Sequence, residues 1–447
     1  MNLAHGLGGS TDLPIPVTSV LIGGAWALSI SFAVLIFAWR KPRLDPSHRW
    51  FTLSGNIVRL ADSRWTRAAI RALGLAFFAY VAVLSFIGPQ DASSALPGVF
   101  YVLLWVGVPV LSALVGPVWR LISPLRTLHS LASAAVGRSP ASGFARYPDG
   151  LGTWPAVAGL FAFAWIELAY LDPGQVSAIR LWCVAYVLIT FLGAVVFGDS
   201  WFERADPFEK FSDTLSRMAP LARSTTERTP AQRTLVLRNP LDGLRSLPVL
   251  PGTVAVVAVL LGSTAFDSAS QITAWRNLVD STTSSVAGGV LWRTLGLTVM
   301  ICFVGVSFWC ASRATGGLTR SKRAALPGLL AHSLVPIVIG YILAHYLTYL
   351  VEKGQATVIL LFDPFDSGWD VFGQQGWEVS YALSLHPGVV ATAKVLCVLG
   401  GHVLGVAAAH DASLRLLPPR HRLTGQLSLM VLMVFFTFGG LFLLFGG

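Results

Sequence analysis

QLSLMVLMVFFTFGGLFLLFG, residues 426–446, runs for 21 residues without one ionisable side chain. About 20 apolar residues are what a helix needs to cross the hydrocarbon core of a bilayer. Within lipid the backbone must satisfy its own hydrogen bonds, so a lone stretch of this kind reads as a helix. Comparable stretches recur at 17–39, 69–88, 97–118, 154–172, 176–198, 251–267, 288–311, 325–350 and 387–410. The shortest is 251–267. The chain is therefore expected to be an all-α integral membrane bundle of about ten transmembrane helices, residues 1–447 forming one transmembrane domain.

Composition agrees. Hydrophobic residues make up 54% of the 447 and charged residues 12%, against roughly 25% charged in soluble domains. The net charge of +10 would raise nucleic acid as a partner in a soluble chain. Here the basic residues gather between spans, so a lipid bilayer is the expected partner and nucleic acid is not. Loops 40–68, 119–153, 199–250, 312–324 and 411–425 are rich in Arg and Lys. The alternate loops are poor in them: 89–96 and 173–175 have none, 268–287 has Arg276 and 351–386 has Lys353. Basic loops mark the cytoplasmic side, which places both termini outside the cytoplasm. No basic n-region or AxA cleavage site precedes the first span, so no secretory signal is expected.

Two basic-side segments have helical apolar spacing, Leu125, Leu128, Leu131 and Ala135 in 124–135, and Phe208, Phe211, Leu215 and Met218 in 206–222. They are expected either flat on the inner leaflet or packed under the bundle. Each follows a similar sequence: Gly116-Pro117-Val118-Trp119 with Ser123-Pro124, and Gly198-Asp199-Ser200-Trp201 with Asp206-Pro207. Segment 223–250, rich in Arg, Thr, Pro and Ser, reads as a mobile linker. Residues 351–386 read as an extracytoplasmic loop.

Ionisable residues inside spans are costly and tend to line sites. Six of nine histidines lie in the last third of the chain: His332, His345, His386, His402, His410 and His421. Glu167 and Lys394 also fall within spans. The topology brings Glu167, His345, His386 and Asp363 toward one outer level. Two histidines and one or two carboxylates suit zinc, iron or another divalent ion with an open position for water. His332, His402 and His410 lie deeper, as further candidate metal ligands or steps on an inward path. Bis-His haem ligation is a further option. Glu167 and Lys394 could instead pair structurally. His5 in Ala4-His5-Gly6 would chelate copper if cleavage exposed it. Cys183, Cys302, Cys310 and Cys397 form no CxxC pair and are expected as small buried hydrophobes. No Walker, GxGxxG, HExxH or GxSxG motif occurs.

Several motifs resemble a family of bacterial, largely actinobacterial, membrane proteins labelled fenitrothion hydrolase-like. They are Ala4-His5-Gly6-Leu7-Gly8-Gly9, Trp165-Ile166-Glu167-Leu168, Ala331-His332-Ser333-Leu334-Val335-Pro336 and Ala344-His345-Tyr346-Leu347-Thr348-Tyr349. Asp363-Pro364-Phe365 through Trp369-Asp370, Gly401-His402-Val403 and Ala409-His410-Asp411 complete the set. The resemblance implies hydrolysis of organophosphate-type esters. The leading expectation is thus a metal-dependent membrane hydrolase, with Glu167, His345 and His386 as ligands and Asp363 as ligand or general base. The alternatives are a permease or metal-handling protein for a small molecule or ion, and a noncatalytic subunit of a membrane complex.

Overall fold

In the computed structural model, residues 13–224, 234–315, 318–368, 370, 373, 376–422 and 424–445 are described. The chain is 74% helical. Ten helical stretches among the described residues are long and apolar enough to cross a membrane. They are α1 (Val17–Ala38), α3 (Arg64–Ile87), the π-helical turns Gly98–Gly107 leading into α4 (Val108–Val115), α7 (Trp154–Leu168), α8 (Val176–Phe197), α11 (Thr253–Ser270), α13 (Val286–Arg313), the broken helix of α14 (Arg320–Leu330), α15 (Val335–Thr348) and α16 (Gly354–Phe362), α17 (Pro387–Leu416) and α18 (Leu427–Phe445). Each expected span has its helix. Large apolar side chains such as Trp26, Ile30, Leu181 and Val299 lie exposed along them. That surface suits lipid rather than water, and the protein is a multi-pass membrane protein.

Exposure sorts the helices. On α1, α3, α8 and α13 few side chains are buried, whereas α11 and α15 are almost wholly enclosed. The span that is weakest in sequence is therefore the centre of the bundle. Its Ser263, Thr264, Asp267 and Ser268 lower the apolar signal because they face protein, not lipid. Asp267 does not end this helix, as the 251–267 limit implied; α11 continues to Ser270. Helices α15 and α17 form the most extensive contact. Glycines set their separation: Gly340 lies against the backbone of Cys397 and Gly401, and Gly405 against Ser333 and Ile337. Small residues at such crossings let helix backbones approach closely.

Three expectations are corrected. Segment 223–250 is not simply a linker. Leu221–Arg223 (β2) and Leu235–Leu237 (β3) pair antiparallel, and Phe51–Thr52 (β1) pairs with the other edge of β3. Leu241 and Leu244 are buried beyond it. Residues 225–233 lie outside the described set. Within 351–386, the eighth span continues as π-helical turns Tyr349–Lys353 and then α16, because Gly98 accommodates Thr357 at close range. Cys302 and Cys310 are exposed on α13 rather than buried; all four cysteines are free.

The paired motifs adopt the same local form. Gly116 and Gly198 both take positive φ, which only glycine adopts without strain. Short helices follow, α5 (Val118–Ile122) and α9 (Asp199–Ala205). Ser123 then caps α6 (Pro124–Ala135) and Asp206 caps α10 (Pro207–Ser216) with their side chains. The two units interlock: Arg126 makes a bidentate pair with Glu209 and reaches Asp199 at 3.1 Å. The Trp119 indole donates to Asp206. Nearly every residue of α10 is buried, Phe208, Phe211 and Leu215 included. So α10 packs under the bundle, while α6 leaves Leu131 exposed.

Candidate functional site

Helices α7, α11, α15 and α17 carry the buried ionisable side chains Glu167, Asp267, His345 and Lys394. His345 Nε2 lies 2.8 Å from Asp267 Oδ2, and its Nδ1 lies 3.2 Å from Ser268 Oγ. Both ring nitrogens are thus engaged by one turn of α11. Tyr346 donates its hydroxyl to Asp267 Oδ2 at 3.2 Å, and Tyr341 Oη is 3.2 Å from Ser268 Oγ. Glu167 approaches from α7, close enough to act electrostatically on the hydroxyls of Tyr101, Tyr346 and Tyr349.

Register places Lys394. Gly340 sits opposite the turn between Cys397 and Gly401. Five residues on from Gly340 is His345, and in an antiparallel pair the matching position on α17 is close to Lys394. Lys394 is 1% exposed at that level, and none of the four charges stands alone. Burying an unpaired charge costs several kcal/mol, which explains why all four gather in one place.

The other expected site residues are elsewhere. His386 is exposed at the start of α17, eight residues before Lys394, or about 12 Å along the axis at 1.5 Å per residue. Asp363 caps α16, and its two carboxylate oxygens accept from the amides of Ser367 and Gly368. It closes a turn. The grouping of Glu167, His345, His386 and Asp363 therefore reduces to Glu167 and His345. His332 hydrogen-bonds the backbone at Leu329. His402 Nδ1 donates to Val398 O at 2.8 Å. His410 bridges Gln426 Oε1 and Trp39 O at 2.8 and 2.9 Å. These three serve their own surroundings and form no file through the bundle. Among the described residues no three His, Cys, Asp or Glu side chains form a metal-binding group. His345, with both nitrogens held by Asp267 and Ser268, does not fit as a ligand. His5 lies outside the described residues.

Asp267 is the residue that sequence reasoning missed. An aspartate followed by Ser268-Ala269-Ser270, with no turn-forming residue, was a signal that the helix continues past it.

A cavity of about 390 Å³ is a lipid-facing groove between α3, α4 and α8. Its walls are apolar and it does not touch the ionisable cluster.

No protein-family model, no curated protein and no solved structure matches this chain. Its chemistry has to be read from the buried charges alone.

Proposed function

We propose that the chain is a permease of the bacterial cytoplasmic membrane whose transported ion is a proton, held in passage at Asp267 and His345. One observation carries the reading: Asp267 of α11 and His345 of α15 pair at 2.8 Å inside the bundle, with Glu167 and Lys394 buried on the neighbouring spans. Intramembrane ionisable residues of this kind mark ion and proton pathways. With His345 protonated the four formal charges cancel; without that proton one negative charge remains. The cluster can thus alternate between a neutral and a charged state by exchanging a single proton. Ser268 and Tyr341 extend hydrogen bonding away from His345.

A metal-activated hydrolase needs about three protein ligands around an open position. No such group supports it among the described residues, and the buried Asp267–His345 pair supports proton exchange instead.

The test is proton flux. Purified protein is reconstituted into vesicles enclosing a pH-sensitive dye, and a pH gradient is imposed. Wild-type protein should dissipate the gradient faster than empty vesicles. Asp267→Asn should return the rate to that of empty vesicles while eluting as a monodisperse folded protein. A folded Asp267→Asn variant with wild-type flux would overturn the proposal, as would wild-type flux no faster than empty vesicles.

A further inference from the structure

We infer that a cavity of about 80 Å³ beside His402 is a binding site for a membrane-dissolved alcohol or phenol, which enters from the lipid between α13 and α18. The inference does not depend on the proton reading, although Tyr341 borders both places.

His402 is 2% exposed. Its Nδ1 faces the carbonyl oxygen of Val398 at 2.8 Å. A carbonyl only accepts, so Nδ1 carries the proton. In the neutral ring Nε2 is then a bare lone pair. That nitrogen is buried and has no hydrogen-bond partner among the described residues. His402 lines this largely apolar cavity, so its unused acceptor lies just behind the wall, within reach after a small rotation of the imidazole. Buried polar atoms are nearly always satisfied, and the group that completes this one must be a donor.

The cavity also has an entrance. Phe303 of α13 and Phe435 of α18 stand at its mouth with ring centroids 5.9 Å apart, and they are 45% and 53% exposed to the surrounding lipid. Behind them Gly439 and Gly440 keep the α18 wall low. A Cβ on Gly440 would come within 3.3 Å of the Tyr341 ring. A hydroxyl head is therefore directed toward His402 while an apolar tail leaves beside Phe303 and Phe435. A charged headgroup would meet no counter-ion, and a porphyrin exceeds the volume. Water alone would satisfy Nε2 but would leave the remaining apolar wall wet, which apolar cavities resist.

The experiment uses full-length protein in micelles and two photoreactive probes, octanol and octane each bearing a diazirine, with labelled residues located by mass spectrometry. The octanol probe should label Met300, Phe303 and Phe435 several-fold more than the octane probe. Unlabelled 1-octanol should compete and octane should not. His402→Leu should reduce octanol labelling to the octane level, and Gly440→Phe should abolish labelling by both. Equal labelling by the two probes in wild type, equal competition, or undiminished octanol labelling in folded His402→Leu would each overturn the site. Competition on the wild-type protein remains decisive if neither variant folds. Neither outcome bears on proton flux through Asp267, so the two proposals fail separately.

Discussion

Asp411 shows how a buried charge at a span end can be structural. It is fully buried and accepts from the amides of Arg43 and Leu44, the indole of Trp39 and the guanidinium of Arg415. Asp411→Ala leaves those donors unmatched around a void and should cost about 3 kcal/mol, since removing one member of a buried polar pair is strongly destabilising. A fall in the thermal midpoint of purified protein checks it. His386 gives the contrast. Exposed at the helix start, it should tolerate His386→Ala with less than about 0.5 kcal/mol change and with unaltered proton flux. A loss of flux in that variant would restore His386 to the site. The histidines were legible in the sequence as a group, but their roles were not. A one-dimensional pattern counts depth along each helix and is blind to which face turns inward. That is why His386 and Asp363, expected level with His345 and Glu167, lie instead at a helix start and in a turn, while His402 and His332 turn to their own backbones.

At the scale of elements, the crossing of α15 and α17 holds His345 and Lys394 level. A side chain at Gly340 would collide with the Cys397 carbonyl. Gly340→Leu should therefore separate the helices and cost about 1–3 kcal/mol or more, the usual penalty for overpacking, with loss of flux preceding loss of fold. The interlocked turns at the basic end make a different prediction. Burial pushes the Asp206 carboxyl up to about 6, against the hydrogen bonds from Trp119, Tyr186 and the backbone that favour its charged form. The unfolded value is 3.8. Between these pH values the folded protein holds a proton that the unfolded chain releases, so this group's contribution to stability falls as pH rises through the window. The loss should reach about 3 kcal/mol at most. Melting curves from pH 4 to pH 7 should show a decline in wild type that is flattened in Asp206→Asn. The two amphipathic segments were visible as helices from spacing alone. That α10 would bury Glu209 and Lys210 as well as its apolar face was not, because Arg126, the partner of Glu209, comes from α6, outside the segment that was read.

Over the whole molecule, the ten spans could be read because lipid imposes length and apolarity on every crossing. Their packing order could not, since apolar residues look alike whether they face lipid or protein. The small sheet of β1, β2 and β3 was hidden for a related reason: it joins loops about 170 residues apart through strands of two or three residues. Orientation is the remaining global property, and it is testable. The basic loops converge at one end of the bundle, where Arg245 and Arg415 bind the Leu44 carbonyl and Arg126 clamps the α9–α10 turn. An end that uses its arginines this way still carries exposed Arg40, Lys41, Arg138 and Arg320, and this surplus is the reason to expect it in the cytosol. The four native cysteines are first replaced by alanine, because Cys302 and Cys310 are exposed. A cysteine at Ala382 should then react with a membrane-impermeant maleimide in intact cells. One at Ser139 should react only after the membrane is opened. The reverse pattern would turn the bundle over, placing the Asp267–His345 cluster nearer the cytosol and inverting the direction from which its proton arrives.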